Sequence, residues 1–330
     1  MNLHEKSMKA IRLFCRLTMG ILLLQGCTAG GEKPDYALIL HGGAGHLTPE
    51  TLNDSMQHAY TLMLESARDS GLSILERGGS SLDAVEKVIN ILEDCPLFNA
   101  GKGACYTYDG KISLDASIMD GSNLMAGAVA GVSDIRNPIT AARRVMTRSP
   151  HVMLSGKGAS EFAVSQGLQM ADSAYFYTER QWTAHLRGLD KVKKMGTVGC
   201  VALDKNGNIA AGTSTGGMTN KRWGRIGDSP VIGAGTYADN KSCGVSCTGT
   251  GEYFIRLSVA RDMSALIEYK GMNIQAAADL VIQKKVAGLG GSGGLVSLDK
   301  DGNPGISFNT AGMFRAYGNS KGKKFSGMFR

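Results

Sequence analysis

Met195–Gly217 reads MGTVGCVALDKNGNIAAGTSTGG. Gly196-Thr197 opens an alternating apolar run from Val198 to Leu203, and Asp204-Lys205-Asn206-Gly207 has the chemistry of a turn. A second run from Ile209 to Thr213 returns to Ser214-Thr215-Gly216-Gly217. Two runs of strand length around an Asn-Gly step predict a β-hairpin. Such a hairpin sets two threonines, Thr197 and Thr215, at its open end.

A threonine hydroxyl is inert until a base takes its proton. The last histidine of the chain is His185, so residues 197–330 offer no imidazole. A free α-amine, with a pKa of roughly 7.7–8.0, can do the work. An α-amine on Thr197 itself is held at fixed geometry to its own hydroxyl. That requires the Gly196–Thr197 bond to break. Gly196 presents an unhindered carbonyl for attack by the hydroxyl and an N-to-O acyl shift. Taken locally, Thr197 equally fits a plain β-branched residue starting a strand.

Outward from the hairpin, Tyr36–Leu40 reads as a strand running into the Gly-rich loop His41-Gly42-Gly43-Ala44-Gly45. Leu52–Leu75 has helical periodicity and stops at Gly78-Gly79; Ser80 or Ser81 caps a second helix over Leu82–Leu92, with Glu86 in support. The loop from Glu93 to Gly103 carries Asn99. Ala104–Tyr108 and Lys111–Asp115 read as strands joined by Asp109-Gly110. A strand over Leu124–Val132, a helix from Asn137-Pro138 to about Met146, an extended His151–Leu154 and a helix over Gly158–Gln166 follow. Met170–Lys194 is polar and weakly periodic, with Trp182 and His185 stranded in it, and reads as a long surface linker approaching Gly196. Beyond the hairpin come short strands at Val231–Gly233 and Gly244–Thr248, and helices over about Glu252–Arg261 and Ile274–Lys285. Residues 294–303, GLVSLDKDGN, echo residues 199–208, GCVALDKNGN, and read as a second hairpin in the same sheet. Hairpins with helices before and after predict stacked antiparallel sheets covered by helices.

The chain has 330 residues, 43% hydrophobic and 20% charged, with a net charge of +7. That is an ordinary globular mix. Part of the charge lies in Lys6, Lys9, Arg12 and Arg16, and no basic stripe with interleaved aromatics follows, which argues against nucleic-acid binding. Those basic residues precede an apolar run, Leu17 to Leu24, that is short for a membrane span and has the form of a secretory signal over residues 1–26. Its ending, Leu24-Gln25-Gly26-Cys27, resembles a bacterial lipobox with Cys27 lipidated, Gln25 being an unusual occupant; a plainly cleaved signal is the other reading. Residues 27–35 then form a tether. Cys95, Cys105, Cys200, Cys243 and Cys247 remain, too irregular for a disulfide framework. Cys243 and Cys247 either pair or are buried thiols.

Three motifs mislead. Residues 212–216, GTSTG, match a nucleophile elbow, but no helix pattern and no histidine follow. Residues 233–238, GAGTYA, match a dinucleotide fingerprint with no βαβ unit around it. His41 and His46 lack metal-ligand spacing, so metal catalysis finds no support.

GTVGCVALDKNGNIAAGTSTGG, together with HGGAG, CPLFNAGKG, LDASIMDG, NPITAARRVM, GRIGDSPVIGAGTYADN and TGTGE, those six in that order along the chain, resembles the plant-type asparaginase/isoaspartyl peptidase family of N-terminal nucleophile hydrolases, across about residues 36–315. The resemblance implies an α+β, four-layer αββα sandwich, cut before Thr197 into an α subunit (36–196) and a β subunit (197–330). It implies Thr197 as nucleophile, Thr215 orienting it, Thr248 and Gly249 as oxyanion hole, and Asn99 positioning the nucleophile from the α subunit. Arg225 and Asp228 match a clamp for the carboxylate and ammonium of an amino-acid substrate, with Gly251 adding backbone contact; the fork of Arg and the charge of Asp suit those groups, while a surface ion pair is the plain alternative. The loop resembles a sodium-binding loop in which carbonyls of Leu92, Glu93, Cys95, Phe98, Ala100 and Lys102 hold a structural Na+, no cofactor serving the chemistry; a loop closed by Phe98 packing is the alternative. The implied activity releases aspartate from asparagine and β-aspartyl dipeptides, with glycosylasparaginase or a non-catalytic amino-acid-binding lipoprotein as alternatives. Implied too are small-molecule substrates, a homodimer of αβ units, and a periplasmic, lipid-anchored place in a bacterial envelope.

Overall fold

Along β1 (Ala37–Gly45), Ala37 and Ile39 face one core and Leu38 and Leu40 face another. Successive strand residues point to opposite sides of a sheet, so a strand apolar at every position is one covered on both faces. The computed structural model describes residues 33–188 and 196–330. The expected signal segment, Cys27 and the tether up to residue 32 lie outside the described residues.

On one side of β1 lie α1 (Asp54–Glu76) and α2 (Ser81–Glu93), which contribute Leu64, Leu75, Val85, Val88 and Ile89 to the core with Leu38 and Leu40. Asn53 caps α1 through a bond from Met56 N, and Ser80 caps α2 through one from Asp83 N, each satisfying an otherwise orphaned amide. Glu86 does not join that cap: it pairs with Arg143 on α3 (Pro138–Arg148). Next in the chain come β2 (Leu114–Asp120), β3 (Ala126–Val132), β4 (Met153–Ser155) and α4 (Gly156–Ser165). The expected hairpin at Asp109-Gly110 shrinks to one bridge, Tyr106 with Ile112, because pairing passes instead to Leu114–Asp120.

The polar stretch after Met170 is not all linker. Glu179–Arg187 forms α5, capped by Thr178, with Gln181 and His185 buried. His185 meets the Asn220 side chain at 2.7 Å, and Trp182 stands edge-on to Tyr106. Few apolar residues were needed, because the helix packs through polar and aromatic groups.

The hairpin forms as expected: β5 (Val198–Leu203) pairs with β6 (Ile209–Thr215), Val198 opposite Ser214. Asp204 Oδ1 accepts from Asn206 N and Asn208 N at 2.9 and 3.0 Å and so closes the turn. The echo makes the same turn, Asp299 Oδ1 accepting from Asp301 N and Asn303 N, between β9 (Gly293–Asp299) and β10 (Pro304–Phe308). It belongs to a different sheet from the first hairpin, contrary to expectation. Local sequence fixed the turn, whereas the sheet is chosen by what each strand packs against.

Among the described residues one sheet has eight strands, in the order β12-β11-β1-β5-β6-β2-β3-β4, with β11 (Gly312–Asn319) and β12 (Lys324–Phe329) from the C-terminus. A four-stranded sheet runs β10-β9-β8-β7, with β7 (Thr236–Ala238) and β8 (Cys243–Gly249). Ile39, Val201, Leu203 and Ile209 of the first meet Val296 and Leu298 of the second. The far side of the small sheet is covered by α6 (Gly251–Leu257), α7 (Val259–Lys270) and α8 (Ile274–Asp279), Val245 and Cys247 packing with Val259, Met263 and Ala277. The helix expected over Glu252–Arg261 is broken by Ser258 at φ 48°, and α8 continues as a π-helical stretch, Leu280–Val286. Val231–Gly233 is a turn with a single bridge, not a strand. All five described cysteines are buried free thiols.

Candidate active site

The open end of the β5–β6 hairpin holds both threonines, buried, with Thr197 Oγ1 donating to Thr215 Oγ1 at 3.1 Å. Thr215 Oγ1 also accepts from Gly217 N at 2.9 Å, which fixes its position. Opposite Thr215 in the ladder stands Asp115 of β2.

Asn99 reaches this point from the loop after α2. Its Nδ2 donates to the Gly196 carbonyl at 2.6 Å and to the Gly217 carbonyl at 2.8 Å. Its Oδ1 accepts from Cys105 N at 2.8 Å, so the amide has one orientation. The side chain expected to position the nucleophile therefore also touches the carbonyl that precedes it.

Gly43 lies against the same bond. A Cβ there would sit 2.5 Å from Gly196 Cα and 2.8 Å from Thr197 N, and its φ of +106° is a glycine conformation. From the neighbouring residue, Ala44 N donates to Thr248 Oγ1 at 3.3 Å. This contact ties Thr248, at the end of β8, to the loop that packs on Thr197. Gly249 has no room for a side chain, since a Cβ would strike the Phe254 ring and approach Ser292 O. On its other side Gly196 borders a cavity of about 270 Å³ whose walls include Leu47, Tyr60, Phe98, Arg180 and Phe314.

The clamp residues also converge. Asp228 is buried, and a Cβ on Gly251 would fall 2.8 Å from Asp228 Oδ1 and 2.9 Å from Arg225 Nη2. Gly227 leaves space on the other side of the guanidinium, its Cβ position being 2.7 Å from Arg225 Nη1. Arg225 pairs with a carboxylate of α6. Its fork takes Glu252, Nε to Oε1 at 2.9 Å and Nη2 to Oε2 at 3.0 Å. Glu252 lies in the first turn of α6 and its carboxyl is held below the usual range chiefly by that hydrogen bond to Arg225. Reading the sequence missed Glu252; its place directly after Gly251 was the available signal.

Three buried titratable side chains lie behind the site, those of Lys221, Asp115 and Glu93, and no sequence pattern marked them. Lys221 Nζ donates to Ser113 O at 2.9 Å and lies 3.7 Å from Asp115 Oδ2, both side chains almost fully buried. Burial pushes the Asp115 carboxyl up, against the pull of Lys221 and of the bond from Gly131 N. Glu93, at the end of α2, accepts from Ser214 Oγ at 2.6 Å and Ile139 N at 3.0 Å, and burial pushes it up to about 8. His41, which lacks metal-ligand spacing, brings its Nδ1 to 3.1 Å from Thr197 O. Burial drives its pKa down to about 3, so the ring is neutral at physiological pH.

In the loop after α2, a Cβ on Gly101 would strike Glu93 O, and one on Gly103 would strike Phe98 O and lie 2.8 Å from Pro96 O. The carbonyl oxygens of Glu93, Phe98 and Pro96 thus lie against glycines where no side chain would fit. Such a donor set suits a hard cation. Among the described residues no group of three or more His, Cys, Asp or Glu is placed to hold a metal.

A hydroxyl pair at a strand start, with an amide donor on the adjoining carbonyl, has the form of a hydrolase site. The family model described as asparaginase matches residues 34–327, and the chain belongs to that family. The isoaspartyl peptidase of Salmonella typhimurium is 49% identical, the match covering 89% of this chain and 98% of that protein. That of Escherichia coli is 47% identical over 89% and 96%, and the plant-type L-asparaginase of Pyrococcus furiosus is 40% identical over 85% and 95%.

Proposed function

We propose that this hydrolase is an autoprocessed threonine enzyme that cleaves β-aspartyl dipeptides and the side-chain amide of L-asparagine, releasing L-aspartate. The observation that carries this reading is the hydroxyl of Thr197 beside Thr215, with Asn99 Nδ2 2.6 Å from the Gly196 carbonyl.

In processing, Thr197 Oγ1 adds to the Gly196 carbonyl carbon and Asn99 stabilises the oxygen that becomes negative. The C–N bond breaks and the hydroxyl proton ends on the Thr197 nitrogen, leaving an ester. Water hydrolyses the ester to a Gly196 carboxylate and a free Thr197 amine. In turnover that amine takes the hydroxyl proton while Oγ1 attacks the substrate's β-carbonyl, with Thr248 Oγ1 and Gly249 N facing the oxyanion. The proton passes to the departing amine or ammonia, and water releases aspartate from the acyl-enzyme. Arg225 holds the substrate carboxylate and Asp228, with Gly251, the ammonium. The cradle around Gly251, too tight for any side chain, supports this clamp.

A Na+ held by the carbonyls of Leu92, Glu93, Cys95, Phe98, Ala100 and Lys102 would stiffen the loop that presents Asn99. Burial raises the Cys95 thiol pKa, so that residue contributes by its carbonyl. The family's four-layer αββα sandwich is the arrangement that the two-sided burial of β1 supports. The N-terminal pattern supports a cleaved signal, lipidation of Cys27 and a periplasmic envelope location, and assembly follows as a dimer of αβ units.

The test is an intact mass of the purified protein with side-by-side assay of a β-aspartyl dipeptide, asparagine and glycosylated asparagine. Two chains, the second beginning Thr-Val-Gly-Cys, and release of aspartate from the first two substrates are expected. An active protein that stays whole overturns the reading.

A further inference from the structure

Between the two sheets, where most contacts are apolar, runs an unbroken line of buried polar side chains. His41 Nε2 meets Ser246 Oγ at 3.0 Å. Ser246 Oγ lies 2.7 Å from Thr213 Oγ1, and Thr236 Oγ1 lies 2.6 Å from Thr213 Oγ1. Ser117 Oγ is 2.8 Å from Thr236 Oγ1 and 2.6 Å from Ser229 O. His41, Ser246, Thr213, Thr236 and Ser117 are all fully buried, and they come from β1, β8, β6, β7 and β2. One end of the line is the Thr197 carbonyl and the other is the carbonyl of Ser229, next to Asp228.

We propose that His41 is a positioning residue for the nucleophile, held in a single tautomer by the Thr197 carbonyl and by Ser246, whose hydroxyl leads through contacts with Thr213, Thr236 and Ser117 to the clamp segment. The proposal rests on Thr197 being the nucleophile. A carbonyl only accepts, so the Thr197 contact requires the proton on Nδ1. A neutral ring then has only a lone pair at Nε2, and Ser246 must donate to it. Ser246 gives its one proton to the ring, so its contact with Thr213 draws on the Thr213 proton, for which the Gly235 carbonyl at 3.1 Å competes. The tautomer of His41 thereby sets the direction of the Ser246 hydroxyl. A proton on Nε2 instead would turn a lone pair of Nδ1 toward the Thr197 carbonyl.

Space for this link is built into the fold. A Cβ on Gly199 would strike Ser246 Oγ and lie 2.5 Å from His41 Nε2. His41 and Gly199 are paired in the β1–β5 register, two residues beyond Thr197. The bond to its oxygen holds the Thr197–Val198 peptide plane. That plane sets the axis about which the amine and hydroxyl of Thr197 turn once the bond before them is cut. Small errors in such an axis displace the attacking oxygen and are costly in rate.

The experiment begins with the wild type, whose intact mass and N-terminal sequence report on Thr197 separately. Selective 15N-histidine labelling, with a His41→Asn sample for assignment, then reads the tautomer. An Nδ1-protonated, neutral His41 at pH 7 is expected; an Nε2-protonated ring or an imidazolium overturns the proposal. Ser246→Ala and Thr213→Val, assayed as processed protein well below their melting points, are expected to lose about tenfold in kcat with KM within about twofold. Thr213→Ser, which keeps the hydroxyl, is expected to recover most of the loss. A merely structural network would lower the melting temperature and leave kcat within twofold, which overturns the proposal while the Thr197 reading stands.

Discussion

Asn99 holds the Gly196 carbonyl and the Gly217 carbonyl with the two protons of one amide, at 2.6 and 2.8 Å. It thereby clamps the residue before Thr197 to the loop after Thr215. On the proposed processing route, Asn99→Ala removes the donor facing the oxygen that turns negative. Processing is expected to slow by about 10²–10³-fold, in line with ~3–4 kcal/mol for an oxyanion donor. A time course of the two chains on a denaturing gel checks it, and processing at the wild-type rate would refute the role.

Arg225 sits between Gly227 and Gly251 with its fork pointing at a carboxylate of this chain. Lysine offers a point charge without the planar fork. Arg225→Lys is therefore expected to raise KM for asparagine by about tenfold or more while processing goes to completion. Steady-state kinetics on fully cut protein separate the two effects.

Lys221 and Asp115 form a buried pair beneath Thr215 and Gly217. Lys221→Met strands a carboxylate away from water and is expected to cost about 3–5 kcal/mol. Adding Asp115→Asn removes that charge and is expected to restore a good part of the loss. Urea unfolding of the single and double variants measures the coupling, and simple additivity would contradict it.

His41 links stability to pH. Its pKa in the fold is lowered to about 3 by burial, against an ordinary value of 6.5. Between those values the unfolded chain binds a proton that the native ring refuses. The contribution is therefore whole above pH 6.5 and is lost as the pH falls toward 3. From pH 7 to pH 5 the loss is about 2 kcal/mol. Denaturant midpoints at the two pH values, for wild type and His41→Asn, are expected to show a smaller drop in the variant.

The β5–β6 hairpin was legible because alternation, an Asp at the turn and Gly207 at φ 79° are all local. The echo at 294–303 was legible as a hairpin for the same reason, but its sheet was not, since residues such as Val296 select partners far away in sequence. Thr197, Thr215, Asn99, Arg225 and Gly251 were singled out through the resemblance to a family; the first three lie around the Gly196–Thr197 bond, and Gly251 lies against Arg225 and Asp228. Glu252, Lys221 and the role of His41 escaped notice. A buried ion pair and a line of hydroxyls leave no periodic trace in a sequence. Gln181 and His185 escaped as well, because α5 is anchored by polar contacts in a stretch that composition marks as solvent-facing.

In the larger sheet β1, from before the Gly196–Thr197 bond, lies between β11 and β5 from after it, while β6 is zipped to β2. Severing the backbone there leaves two polypeptides woven through one another like the fingers of clasped hands. Neither piece can depart without tearing hydrogen-bonded ladders along its length, so dilution will not part them. A cut enzyme built this way is expected to travel through purification as one particle and to keep its activity at any working concentration.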